Sequence, residues 1–135
     1  MTDVQRAWRF LEDSDLVAGA EDVQAALQRV ASRIGERLAA SYPLVLVVMG
    51  GAVVFAGQIL PLLHFPLDLD YIHASRYGAE TRGAKIDWRV TPPAAVRGRA
   101  VLVLDDILDG GETMAAIRER LLELGAASFH CAVLV

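Results

Sequence analysis

The residues best placed to do chemistry form one short run, Asp105-Asp106-Ile107-Leu108-Asp109-Gly110-Gly111-Glu112-Thr113. It follows four apolar residues, Val101 to Leu104, and precedes a helical pattern. Two adjacent carboxylates repel each other unless a cation or hydroxyl donors share them. Gly110-Gly111 lets the backbone turn tightly and approach a ligand. At the start of the following helix the N–H groups of Gly111, Glu112 and Thr113 lack partners and form an anion site, with the Thr113 hydroxyl as a further donor. Acids beside an anion cup suit a ligand carrying both hydroxyls and a phosphate, which describes a ribose phosphate. The run has no Gly-x-x-x-x-Gly-Lys-Ser/Thr, so it is not a P-loop.

The elements that must position this run are legible from periodicity. Val23, Ala26, Leu27, Val30, Ile34 and Leu38 recur at helical spacing, and residues 1–43 read as a helical segment closed by Tyr42-Pro43. Trp8, Phe10 and Leu11 are expected to staple a short first helix onto the body. Leu44 to Met49 and Ala100 to Leu104 read as strands buried on both faces. Ala52 to Leu63 reads as a helix interrupted near its end by Pro61, with Phe55, Ile59 and Leu63 on one stripe, as core or a dimer contact. Leu67 to Ala74 and the weaker Lys85 to Thr91 read as strands around a loop at 75–85. Glu112 to Leu124 reads as a helix stopped by Gly125, and Phe129 to Val135 as a last strand with Cys131 as a small core residue. Alternating apolar strands and amphipathic helices imply an α/β fold, a mainly parallel sheet flanked by helices on both faces with a Rossmann-like core. Ligands of such sheets sit at the carboxyl ends of the strands. The whole of 1–135 is expected to be one domain, an α/β core over 44–135 behind the helical segment.

Composition narrows the function classes. With 54% hydrophobic and 22% charged residues the chain is not intrinsically disordered. A net charge of −4 argues against nucleic acid as a partner. The longest wholly apolar run, Leu44–Met49, is far too short to span a membrane, and no secretory signal is visible. A single cysteine gives no sign of an oxidising compartment, so a cytoplasmic location is expected. His64, His73 and His130 are too scattered for a zinc signature.

The run at 101–113 resembles the 5-phosphoribosyl 1-pyrophosphate (PRPP) motif of the type I phosphoribosyltransferases. More narrowly it is similar to the hypoxanthine-guanine phosphoribosyltransferase family, where Val-Leu-Ile-Val-Glu-Asp-Ile-Ile-Asp-Thr-Gly-x-Thr is typical. Val48-Met49-Gly50-Gly51-Ala52 resembles that family's pyrophosphate loop, and Ala74-Ser75-Arg76-Tyr77-Gly78 its mobile loop. The resemblance implies transfer of ribose 5-phosphate from PRPP to a 6-oxopurine, releasing pyrophosphate and forming a nucleoside monophosphate in purine salvage. It implies that Asp105 and Asp106 hold the ribose hydroxyls, directly or through Mg²⁺, and that Asp109 is the general acid/base at the purine ring. Gly110, Gly111, Glu112 and Thr113 would grip the 5-phosphate and Ile107 would pack against the base. Met49, Gly50 and Gly51 would offer main-chain N–H groups to pyrophosphate, and Tyr77 would close over the site. A homodimer or homotetramer is expected.

Three positions depart from the family pattern. Met49 stands where Lys is common, Arg76 replaces the Ser of a Ser-Tyr pair, and Gly110 replaces a Thr. Arg76 is a candidate cation for pyrophosphate. Because Met49 and Gly110 weaken the expected contacts, a PRPP- or nucleotide-binding regulatory protein with little catalysis is the alternative. The family's purine-reading hood has no counterpart within these 135 residues, which reads as an incompletely represented chain.

Overall fold

The computed structural model describes residues 1–76 and 86–135. Helix α1 spans Asp3–Glu12, and α2 spans Ala20–Leu38. Strand β1 (Leu44–Val48) leads through α3 (Val53–Ile59) and a 3-10 turn at Leu60–Leu62 to β2 (Asp68–Arg76). Then come β3 (Ile86–Val90), β4 (Ala100–Asp105), α4 (Glu112–Glu123) and β5 (Ser128–Val133). The five strands form one sheet in the order β3-β2-β1-β4-β5, parallel except for β3 against β2.

This order follows from the burial of each strand. All five residues of β1 and Val101 to Leu104 of β4 are buried, so these two strands take the centre. The chain leaves β1 toward β2 on one side and leaves β4 toward β5 on the other. Right-handed crossovers in opposite directions put α3 and α4 on opposite faces of the sheet. The α2 residues Leu27, Ala31, Ile34 and Leu38 complete the core, as do Ile117 and Leu121 of α4. Phe55, Ile59 and Leu63 are all buried, so that stripe is core.

Three expectations need correction. The first helix is not stapled to the body: α1 has no buried residue, and Trp8, Phe10 and Leu11 are 58%, 73% and 65% exposed. The capping box between Thr2 and Gln5 starts it, so local hydrogen bonding rather than packing forms this helix. Cys131 is exposed, because β5 is an edge strand with only intermediate or exposed positions. The strand β2 runs on to Arg76, two residues further than its alternation indicates, because Ser75 and Arg76 pair with Asp87 and Ile86 of β3.

At the amino ends of the strands, Arg99 bonds the Asp68 carboxylate at 2.9 Å and the Tyr42 carbonyl at 2.9 Å, and lies over the Tyr42 ring. The Tyr42 hydroxyl also donates to Asp68 at 3.1 Å. This clasp fastens the approach to β1, the start of β2 and the start of β4 at the edge opposite the one that carries the acids. Replacing the fully buried Leu46 of β1 by Ala leaves a cavity in the central strand. Leu46→Ala is expected to cost about 2–5 kcal/mol, read as a fall in the urea midpoint without a change of slope.

Candidate functional site

The two central strands end side by side. Val47 pairs with Leu104, so Met49–Gly51 emerges beside Asp105–Asp106. This is where the connections diverge, the place at which open parallel sheets form a ligand crevice. The two loops touch there. A Cβ on Gly51 would lie 2.8 Å from Oδ2 of Asp106, so only glycine lets the first loop come this close.

Each loop fixes its own groups by local hydrogen bonds. The Asp106 N–H donates to Oδ1 of Asp105 at 2.9 Å, and the Ile107 N–H to Oδ1 of Asp106 at 3.0 Å. Both carboxylates are thereby aimed by the main chain. Burial first, and the neighbouring Asp106 second, push the Asp105 carboxyl up to about 6. The loop is fastened to the end of β5. Leu134 and Val135 donate to the Asp106 carbonyl, and the Leu108 N–H donates to the Val135 carbonyl at 2.9 Å.

After Asp109, Gly110 and Gly111 take φ of 68° and 77°, a left-handed turn that most side chains disfavour. The turn delivers the chain into α4 with no side-chain cap. Among the described residues the N–H groups of Gly111, Glu112 and Thr113 find no acceptor, as the sequence indicates. Glu112 does not point away from this end of the helix: its carboxylate meets the Arg76 guanidinium at 2.7 Å. That contact joins the end of β2 to the start of α4, and no sequence spacing signals it.

Most of the predicted residues meet at this edge. Asp105 and Asp106 are partly buried, while Ile107, Asp109 and Gly110 are exposed around the mouth of the crevice. Thr113 is half-buried on the first turn of α4. The pyrophosphate-loop expectation needs one correction. The Met49 N–H is already spent on the Ile72 carbonyl at 2.8 Å, because β1 and β2 pair one residue past the strand end. Gly50 and Gly51 keep N–H groups with no acceptor among the described residues, and the Met49–Gly50 peptide is cis. Tyr77 lies outside the described residues. Also among those residues, no three His, Cys, Asp or Glu side chains cluster as a metal site.

A family model described as the phosphoribosyl transferase domain matches residues 19–135. A hypoxanthine-guanine-xanthine phosphoribosyltransferase of Tritrichomonas foetus is 32% identical over 94 residues, covering 70% of this chain and 51% of that protein. A hypoxanthine-guanine phosphoribosyltransferase of Lactococcus lactis is 31% identical over 98 residues, covering 69% and 54%. The chain thus spans about half the length of these two curated relatives. The solved structure of a hypoxanthine-guanine-xanthine phosphoribosyltransferase matches with a TM-score of 0.70 at 27% identity, over 89% of this chain and 65% of that one. The structure of a hypoxanthine-guanine phosphoribosyltransferase from Bacillus anthracis reaches 0.81 at 24% identity, over 89% and 72%, a likeness of fold.

The raised Asp105 pKa has a consequence for stability. The folded state holds this proton more tightly than the unfolded chain, whose ordinary value is 3.8. Stability from this group therefore grows as pH falls through about 6 toward 4, and above 6 the ionised acid is a burden. Asp105→Asn removes that burden. Its melting temperature is expected to exceed wild type by a few degrees at pH 7, with the gain shrinking at pH 5. Equal gains at both pH values in a calorimetric scan would contradict the assignment.

Proposed function

Because the chain belongs to the phosphoribosyl transferase domain family, we propose that it transfers ribose 5-phosphate from PRPP to a 6-oxopurine, hypoxanthine or guanine, releasing pyrophosphate and a nucleoside monophosphate. One observation carries this reading: Gly51 lies against the Asp106 carboxylate, so two loops with bare N–H groups flank one acid pair. A substrate with phosphates at both ends of a ribose needs an anion site on either side of its diol, and the crevice supplies that order. The naming of the curated relatives supports the 6-oxopurine as acceptor.

The residues divide the work. Asp105 and Asp106 accept hydrogen bonds from the ribose hydroxyls. The N–H groups of Gly111, Glu112 and Thr113 and the Thr113 hydroxyl take the 5-phosphate, where the helix dipole favours an anion. Gly50 and Gly51 offer N–H groups to the pyrophosphate. Asp109, exposed at the mouth, holds or releases the proton of the purine imidazole ring, and Ile107 covers the base. Mg²⁺ fits Asp105 and Asp106, since it binds through one or two carboxylates, keeps several waters and takes its remaining oxygens from phosphates. When bound it would neutralise charge on the departing diphosphate. The same soluble substrates and the lone cysteine support a cytoplasmic site of action.

Arg76 supports a second reading, a PRPP- or nucleotide-binding regulator. Its charge is committed to Glu112, and Met49 supplies no cation from the other loop. The readings separate on two measurements: nucleotide formation from PRPP with hypoxanthine, guanine or xanthine, and PRPP affinity by calorimetry. Binding without turnover selects the regulator. For the enzyme, Asp109→Asn is expected to slow nucleotide synthesis by about a hundredfold or more while PRPP still binds. A matching loss of binding would mean that Asp109 shapes the loop instead of moving a proton. Met49→Lys is expected to lower the KM for PRPP, and an unchanged value would count against a deficit at that loop.

A further inference from the structure

Helix α1 has an apolar stripe, and nothing among the described residues buries it. At 3.6 residues per turn, Val4, Ala7, Trp8 and Leu11 share one face. Glu12 borders that stripe on one side and Asp3 on the other, while Arg6 and Arg9 fall on the opposite face. The family match begins at residue 19, so α1 lies outside the stretch it covers. Val4, Trp8 and Leu11 are all more than half exposed.

Elsewhere on the molecule is a groove with the complementary character. It lies between the second half of α2 and the edge strand β5, with a volume of about 490 Å³. Val30, Ile34, Leu102 and Phe129 give it an apolar floor, and Arg33, Arg37 and Arg118 stand at its rim. None of these three arginines makes an ion pair among the described residues. The chain as a whole is acidic, so three cations around one apolar trough run against its average.

We propose that α1 of one copy lies in this groove of a second copy, its stripe on the floor and its acidic border against Arg33, Arg37 and Arg118. Two chains thus exchange first helices. Within one chain α1 has no buried residue, so its stripe is left for the groove of a second copy. There Glu12, at the acidic end of the helix, meets the arginine rim. Asp3, which also meets Arg6 at 3.1 Å, takes the other border.

Sedimentation velocity of the full-length protein at micromolar concentration tests the exchange. Leu11→Asp is expected to halve the mass of the wild-type assembly and to make its melting temperature independent of protein concentration, while the monomer stays folded because α1 has no buried residue within its own chain. Arg9→Asp, on the opposite face, is expected to leave the mass as it is. Arg33→Glu combined with Arg37→Glu is expected to halve it again by spoiling the groove. Mixing that groove variant with Leu11→Asp leaves one sound helix and one sound groove, and a mixed pair held by a single exchange is expected. A monomeric wild type, an undiminished mass for Leu11→Asp, or a mixture that stays unpaired would each overturn the proposal.

Discussion

The contact between the Gly51 backbone and the Asp106 carboxylate is the constraint on which the site depends. It requires that β1 and β4 be neighbours, that both be parallel, and that each end at the same level. Burial meets the first condition, because only the two strands apolar on both faces can share the middle of the sheet. The clasp of Arg99, Tyr42 and Asp68 helps meet the third from the far side, by setting where the strands begin. Glycine completes the arrangement, since a methyl group at residue 51 would displace the acid.

Two kinds of group stand at this edge, main-chain amides and charged side chains, and they differ in how firmly they are held. The N–H groups of Gly50, Gly51 and the first turn of α4 are part of the main chain and need no side-chain ordering to act. The charged groups are less settled. Asp105 is ionised only at some cost, and Arg76 is turned to Glu112 rather than into the crevice. A site of this kind offers a rigid set of main-chain N–H groups and a pair of acids whose charge is best tolerated when a cation or hydroxyl donors arrive.

Much of this was legible in the sequence, for a physical reason. The strands β1 and β4 are continuous apolar runs, and the acid pair with two glycines before a helix admits few other structures. The acid loop and the α4 amides follow from that local pattern. What was hidden depends on partners distant in sequence. The Arg76–Glu112 pair joins residues 36 positions apart, and the loss of the Met49 N–H to Ile72 depends on how far β1 and β2 stay paired. Cys131 and the first helix misled for a related reason. Apolar residues imply burial only where something covers them, and neither an edge strand nor an unattached helix reveals its cover in its own pattern.

The bonds that Leu134 and Val135 donate to Asp106, and the one Val135 accepts from Leu108, have an effect beyond the crevice. They make the pose of the acid loop a function of the register of β5. That register is set at the other end of the strand by the reverse turn after α4, where Gly98 donates to the Gly125 carbonyl and Ala127 to the Arg99 carbonyl. Adding one residue to that turn would advance the strand by about 3.3 Å and invert its faces. A surface turn at the far end of the strand therefore acts as a distant tuning screw for the carboxylates, and changes of length there are felt along the whole length of β5.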